Sequence, residues 1–352
     1  MPIHIQTKTP LSPSQIAEQL RKLRLNCVIE NSHFAVAAII EIKNADGTIS
    51  YVSGVNVENA EHNRLGLHAE QTALANAQSL LGEKIKLSKI YVMGAPDDIH
   101  EGSLHALADN FVKPCGHCRQ LLLSRATNNA EVISITVNGD VSVPVKLAAQ
   151  LPDAFSERDL ATPEISAPHN ASAASNVLTF HAPERAQISD IKLESTLSKP
   201  EILKYLRLLT PHIINPAFNT SPVSSCILKL SGESPHYAIG TLMQDVAFLT
   251  TDALFAAIAN AATRFGSAAI KVEEAHFYSQ SLSPSQLSAS ELVHLNRFTI
   301  SDIPITFYQQ DGTTKTYTLL ECANSKLHPF MKAADVANHQ QAAMPISEVR
   351  HV

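Results

Sequence analysis

The chain has 352 residues, enough for two domains of ordinary size, with 45% hydrophobic and 17% charged residues, a balance that suits a packed core and excludes disorder throughout. Its formal net charge is -6, whereas binding a nucleic-acid polymer usually needs a basic face. The acidic balance therefore favours a small-molecule substrate and no nucleic-acid polymer as partner.

The first twelve residues are polar and contain proline, with no signal-peptide core, and no apolar run is long enough to span a membrane. A cytoplasmic protein without a membrane partner is the expectation. In such a compartment five cysteines do not read as a disulfide framework. Of these, Cys115 and Cys118 alone are spaced like metal ligands.

In chain order, residues 12–25 carry Ile16, Leu20 and Leu23 at helical spacing after a Ser-Pro start. Residues 34–42 are β-rich, Asn44-Ala45-Asp46-Gly47 is a turn, and 49–55 returns as the second arm of a hairpin. Ala73, Leu74, Ala77, Leu80 and Leu81 lie on one face of a helix over 68–81, which Gly82 stops. Residues 90–93 predict a buried strand, 115–125 a helix opened by Pro114, and 133–137 another strand. The fold class expected is α/β: a three-layer α/β/α domain.

From 161 to 187 the composition shifts to Ala, Ser, Pro and Asn, the signature of a linker. Beyond it the first pattern returns. A second hairpin spans 226–240, a helix follows Asp252, and 270–278 is strand-like. Gly54 falls on Gly240 and Glu58 on Gln244, and, after a two-residue gap, Leu74 to Ala77 on Ile258 to Ala261. In that register His68 meets Asp252 and Glu70 meets Leu254. The organisation expected is an N-terminal helical segment (1–30), a first α/β domain (31–160) that carries the metal-spaced cysteines, the linker (161–187), a degenerate copy of that domain (188–330) and a tail (331–352).

Two short elements carry the chemistry. His68-Ala69-Glu70 and Pro114-Cys115-Gly116-His117-Cys118 each open a helix. A three-residue spacing within a first helical turn aims both cysteine sulfurs the same way, and His68 supplies a nitrogen as third ligand. Three protein ligands leave the fourth tetrahedral position for water, the catalytic pattern of Zn2+. Helix N-termini favour thiolates. Glu70 can reach that water without ligating, which is the place for a carboxylate that moves protons. His117, between filled ligand positions, reads as a helix-surface residue.

The pattern H-x-E followed by P-C-x-x-C is that of zinc deaminases. Over residues 31–160 the chain resembles the cytidine deaminases, through Ser32-His33-Phe34-Ala35-Val36-Ala37-Ala38, Gly54-Val55-Asn56-Val57-Glu58-Asn59-Ala60, Leu65-Gly66 and Pro114 through Gln120. The resemblance implies that Asn56 and Glu58 hold the ribose hydroxyls and that Phe34 packs near base and sugar. Ala69 is placed with these substrate-binding residues. Leu151-Pro152-Asp153-Ala154-Phe155 resembles a segment of the long, two-domain, homodimeric type, which implies that Phe155 reaches toward the partner subunit's site.

Three departures from the family stand out. Ala37 replaces a usual Gly, adding a methyl to a strand expected near the substrate. Glu30-Asn31 stands where many members have Pro-Tyr. Residues 94–112 form an insert between a core strand and Pro114, with Leu104, Leu107 and Phe111 at helical spacing, and it is expected to act as a lid or wall.

The function this implies is zinc-dependent hydrolytic deamination of cytidine and deoxycytidine to uridine and deoxyuridine, with release of ammonia, in pyrimidine salvage. One alternative is a deaminase of a modified or bulkier cytosine-type nucleoside selected by the insert. Another, of a different class, is a non-catalytic zinc-binding scaffold. A polynucleotide substrate is disfavoured, because a 3′ phosphodiester would collide with a carboxylate at Glu58.

Overall fold

The structure is a computed structural model that describes residues 3–58, 66–82, 85–103, 111–156, 178–179, 196–210, 213–214, 222–232, 236–243 and 250–326. The linker over 161–187, apart from 178–179, lies outside these residues, as do the tail over 331–352, Asn59, Ala60, Leu65, Leu104, Leu107 and Gln244.

The first half is built on strands β1 (His4–Thr7), β2 (Phe34–Lys43), β3 (Ile49–Val55), β4 (Leu87–Pro96), β5 (Ala126–Ser134) and β6 (Val145–Lys146), in the sheet order β1-β3-β2-β4-β5-β6. Helix α1 (Pro13–Arg24) starts on a Ser12 capping box and buries Ile16, Leu20 and Leu23. It covers the sheet face that carries Ala35, Ala37 and Ile39. The alternate residues Ala38, Ile40 and Ile42 face α2 (Ala69–Leu81) and α3 (Gly116–Leu123), with α4 (Leu147–Gln150) beside them. Successive side chains of a strand point to opposite faces, so one ten-residue strand serves both layers. This is the three-layer arrangement expected.

Short strands β7 (Leu178–Thr179) and β8 (Ile213–Ile214) pair with each other. The second half then has helix α5 (Lys199–Leu209), strands β9 (Val223–Leu230) and β10 (His236–Thr241), helix α6 (Ala253–Phe265), strand β11 (Val272–Ser279), helix α7 (Ala289–Arg297), strands β12 (Pro304–Tyr308) and β13 (Thr314–Thr318) and helix α8 (Leu319–Asn324). Its sheet order, β10-β9-β11-β12-β13, repeats β3-β2-β4-β5-β6. The single parallel pair falls at the same place in each, β4 with β5 and β11 with β12. The second half is a copy of the first fold.

The copies share their most buried helices. Helix α2 packs on its own β3 and also on β10 and α6, while α6 packs on β10, β9 and β3. Both are rich in alanine, which lets backbones approach closely. The glycines that face them have the same reason to be glycine. A Cβ on Gly54 would lie 2.2 Å from the backbone nitrogen of Ala73, and one on Gly240 would lie 2.1 Å from the carbonyl oxygen of Ala253.

Several local expectations needed correction. The strand read as 90–93 runs from Leu87 to Pro96, because β2 offers partners along its whole length, out to Phe34 opposite Pro96. Residues 94–96 are therefore sheet, and the insert leaves the core at Asp97. The strand read as 133–137 begins at Ala126, and α3 ends at Leu123 rather than 125. Strand β1 arises from residues whose polarity hid it, since an edge strand needs backbone partners more than apolar side chains. Ala37 is fully buried on the α1 face of the sheet, so its methyl packs away from the pocket described below.

Candidate metal centre and pocket

His68 is the N-cap of α2 and Cys115 the N-cap of α3, both in extended backbone conformations, and neither side chain caps its own helix. The side chains are thus left to face each other across the helix starts. His68 Nδ1 lies 3.4 Å from the Sγ of Cys115 and 3.4 Å from that of Cys118. The three ligand atoms all lie within 4.8 Å of one another. Tetrahedral zinc bonds of roughly 2.1 Å to nitrogen and 2.3 Å to sulfur place such atoms roughly 3.6 Å apart, so the donor set and its spacing fit zinc. The interaction between the two sulfurs holds the Cys115 thiol down to about 4, while the same interaction and burial push the Cys118 thiol up.

Glu70, one residue into α2 beyond Ala69, is buried beside Cys118 and His68. Burial pushes its carboxyl up, opposed by its own backbone N–H and by His68. His117 is exposed on α3, its ring 6.3 Å from that of His68, and takes no part in the cluster.

A cavity of about 500 Å³ opens on this cluster. Phe34, Asn56, Glu58, Ala69 and Glu70 all line it, together with His68 and Cys115. Asn56 closes the end of the hairpin, with Oδ1 accepting from the Val36 N–H and Nδ2 donating to the Phe34 carbonyl. One Nδ2 proton remains for a ligand. The Glu58 carboxylate accepts from the backbone N–H groups of Asn31 (3.1 Å) and Ser32 (3.0 Å) and from the Ser32 hydroxyl. Asn31 and Ser32 line the same wall, and the sequence reading assigned neither a site role. The SHF segment held the signal, because a polar pair directly before Phe34 must end where β2 begins.

Phe155 is not among the residues lining the cavity. Gln120 holds its backbone at both ends, accepting from its N–H and donating to its carbonyl, and the residue is 39% exposed. The insert divides. Its first residues are fastened to the α1 side, where the buried Arg24 guanidinium donates to the carbonyls of Ala95, Pro96 and Ile99 and Arg21 pairs with Glu101. Its last residue, Val112, returns to the cavity wall beside Lys113.

The second copy has its own version of these positions. Asp252 is the N-cap of α6 where His68 caps α2, and the buried Leu254 stands for Glu70. Ser288 is the N-cap of α7 and Glu291 follows three residues on, a capping box in the places of Cys115 and Cys118. The sequence register located Asp252 and Leu254 and missed this last pair, which looks like an ordinary helix start. Among the described residues the first-half cluster is the one group able to hold a metal through three such ligands.

Residues 12–134 match the family model described as the cytidine and deoxycytidylate deaminase zinc-binding region. No curated protein matches the chain. Similar solved structures include the cytidine deaminase from Burkholderia pseudomallei, 28% identical, covering 41% of this chain and 100% of that one with a TM-score of 0.33. The cytidine deaminase from Mycobacterium tuberculosis is 23% identical, covering 42% of this chain and 99% of that one with a TM-score of 0.31. That from Mycobacterium leprae is 24% identical, with 41% and 99% covered and a TM-score of 0.30.

Proposed function

We propose, from the match of residues 12–134 to the cytidine and deoxycytidylate deaminase zinc-binding region, that this chain deaminates free cytidine and deoxycytidine to uridine and deoxyuridine. The observation that carries this reading is one cavity lined by His68 and Cys115 of the metal cluster, by Glu70, and by Asn56 and Glu58.

A zinc ion on His68, Cys115 and Cys118 would lower the pKa of a water in its open position and supply the nucleophile. The protein's own residues do the rest. In the hydrolysis, water oxygen adds to C4 of the pyrimidine, N3 gains a proton, the bond from C4 to the exocyclic nitrogen breaks, and ammonia leaves. Glu70 is the group positioned to take a proton from the water, give it to N3, and later protonate the departing amine. Its buried setting keeps bulk water from competing for those protons. Glu58 and the free N–H of Asn56 receive the sugar hydroxyls, and Phe34 covers the base and sugar.

Val112 and Lys113 in the cavity wall favour a second reading, a cytosine nucleoside with a modified or bulkier base. The same proposal takes the second copy (188–330) as structural, the enzyme as a cytoplasmic homodimer acting in salvage, and Phe155 as the residue offered to the partner subunit's site. Among the described residues no helix is long and apolar enough to cross a membrane. Ammonia release from cytidine, deoxycytidine, base-modified cytidines and a cytosine-containing oligonucleotide tests the proposal. Turnover of the nucleosides is expected. Turnover of the oligonucleotide alone, or of nothing with zinc bound, would overturn it.

A further inference from the structure

A side chain of the second copy holds the chain segments that form one wall of the first copy's pocket. Arg297, the last residue of α7, donates from Nη1 to the backbone carbonyl of Glu58 at 2.6 Å. Its Nη2 forms an ion pair with Glu30 Oε2 at 2.5 Å. These two partners precede and follow the hairpin β2–β3, and they adjoin the residues that form one wall of the cavity, Asn31, Ser32 and Glu58.

Glu58 is held at three points. Its N–H donates to the Val28 carbonyl at 2.8 Å, its carboxylate accepts from Asn31 and Ser32, and its carbonyl accepts from Arg297. The first two anchors come from the segment before β2. The third comes from the other half of the chain. The Arg297 side chain is 19% exposed, so its bond to a neutral carbonyl is charge-assisted and largely shielded from water. The guanidinium links the two segments, by a hydrogen bond to the Glu58 carbonyl and an ion pair to Glu30, with a planar head that a single ammonium lacks.

We infer that Arg297 is a positioning residue for the sugar end of the pocket, so that the second copy, which lacks the first half's ligand set, sets substrate affinity in the first. The inference rests on the nucleoside reading above. Removing Arg297 frees the Glu58 carbonyl and lets the carboxylate wander from the sugar hydroxyls, while the metal cluster and Glu70, anchored on α2 and α3, stay in place.

The test compares the full-length wild type with Arg297→Met and Arg297→Lys. For cytidine, Arg297→Met should raise KM about tenfold, roughly 1.4 kcal/mol, with kcat within about twofold and zinc content unchanged. For 2′,3′-dideoxycytidine, which lacks the 2′ and 3′ hydroxyls that Glu58 would hold, KM should hardly move. Arg297→Lys should fall between, keeping one partner at a time. Amide hydrogen exchange adds a readout independent of any substrate: exchange at Asn31, Ser32 and Glu58 should accelerate in Arg297→Met while α2 and α3 keep their protection. Equal KM changes for both nucleosides, or unchanged exchange at these amides, would overturn the inference. A wild type that turns over no nucleoside, with the exchange result as expected, would overturn the nucleoside reading and with it the sugar role of Arg297, while showing that Arg297 does hold the Glu58 segment.

Discussion

Asn260 on α6 donates from Nδ2 to Oδ1 of Asn76 on α2 at 3.2 Å, so the two equivalent asparagines of the duplicated fold meet each other at the contact between copies. Each also serves its own sheet. Asn76 Nδ2 donates to the Ser53 carbonyl, and Asn260 Oδ1 accepts from the Ile239 N–H. Both are fully buried. Gln78 and Gln71 extend the seam by donating to the Leu242 carbonyl and the Thr251 hydroxyl.

Asn260→Ala should therefore destabilise the whole chain. It leaves the Ile239 N–H and Asn76 Oδ1 without their partner at a buried contact, at a cost of roughly 1–3 kcal/mol per unsatisfied group. Denaturant unfolding followed by probes in both halves should show a common shift. A double-mutant cycle with Asn76→Ala should give a coupling energy clearly different from zero; strict additivity would mean that the bond contributes nothing.

The metal cluster predicts about one zinc per chain. Cys115→Ala and Cys118→Ala should each lose most of it, since two ligands hold zinc far less well than three in a tetrahedral site. Elemental analysis of purified proteins checks this. Two tightly bound zincs per wild-type chain would mean that the Asp252, Ser288 and Glu291 positions had kept a metal.

Glu70→Gln should keep zinc and fold while losing turnover by at least the roughly 10²–10⁴-fold that general acid–base catalysis contributes. The amide is close in shape and cannot carry the proton. Single-turnover rates on cytidine, with zinc measured on the same sample, decide it; a variant at wild-type rate would move proton transfer to another group.

Glu291 predicts a pH dependence of stability. Burial, with Asp252 nearby, raises its carboxyl from 4.5 to about 7, while the Ser288 hydrogen bonds and Lys326 oppose the rise. A folded pKa above the unfolded one means that the folded state binds the proton more tightly. That stabilisation is fully present below pH 4.5 and is lost as pH rises through about 7. Glu291→Gln keeps an oxygen to accept from Ser288 and removes the titration. Its stability relative to wild type should improve between pH 5 and about pH 7, by up to about 1.4 kcal/mol per pH unit, and change little from there to pH 8. Equal differences at pH 5 and about pH 7 in urea unfolding would show that Glu291 titrates normally.

Val112→Ala should widen the cavity on the side where the insert returns. The ratio of rates for a base-modified cytidine over cytidine is expected to rise, with zinc content unchanged. An unchanged ratio would take the insert out of substrate choice.

The chemistry was legible in the sequence because it is local. His68 and Glu70 sit two apart, Cys115 and Cys118 three apart, and each pair opens a helix, so a handful of residues fixes what they present. The hairpin, the central helices and the register of the duplication were legible for a related reason: alternation and glycine placement follow from each element's own packing. The stretch of α7 before Arg297 gave no hint of the site, since it shares only short-range features with any capped helix. Tertiary structure alone decided that Asn76 faces Asn260, that Arg24 fastens the start of the insert to α1, and that Arg297 from one copy holds Glu58 in the other. Such pairs lie up to 239 positions apart. No periodicity or spacing encodes them, because they depend on how two completed folds dock, and docking is set by the shape of whole faces rather than by any one segment.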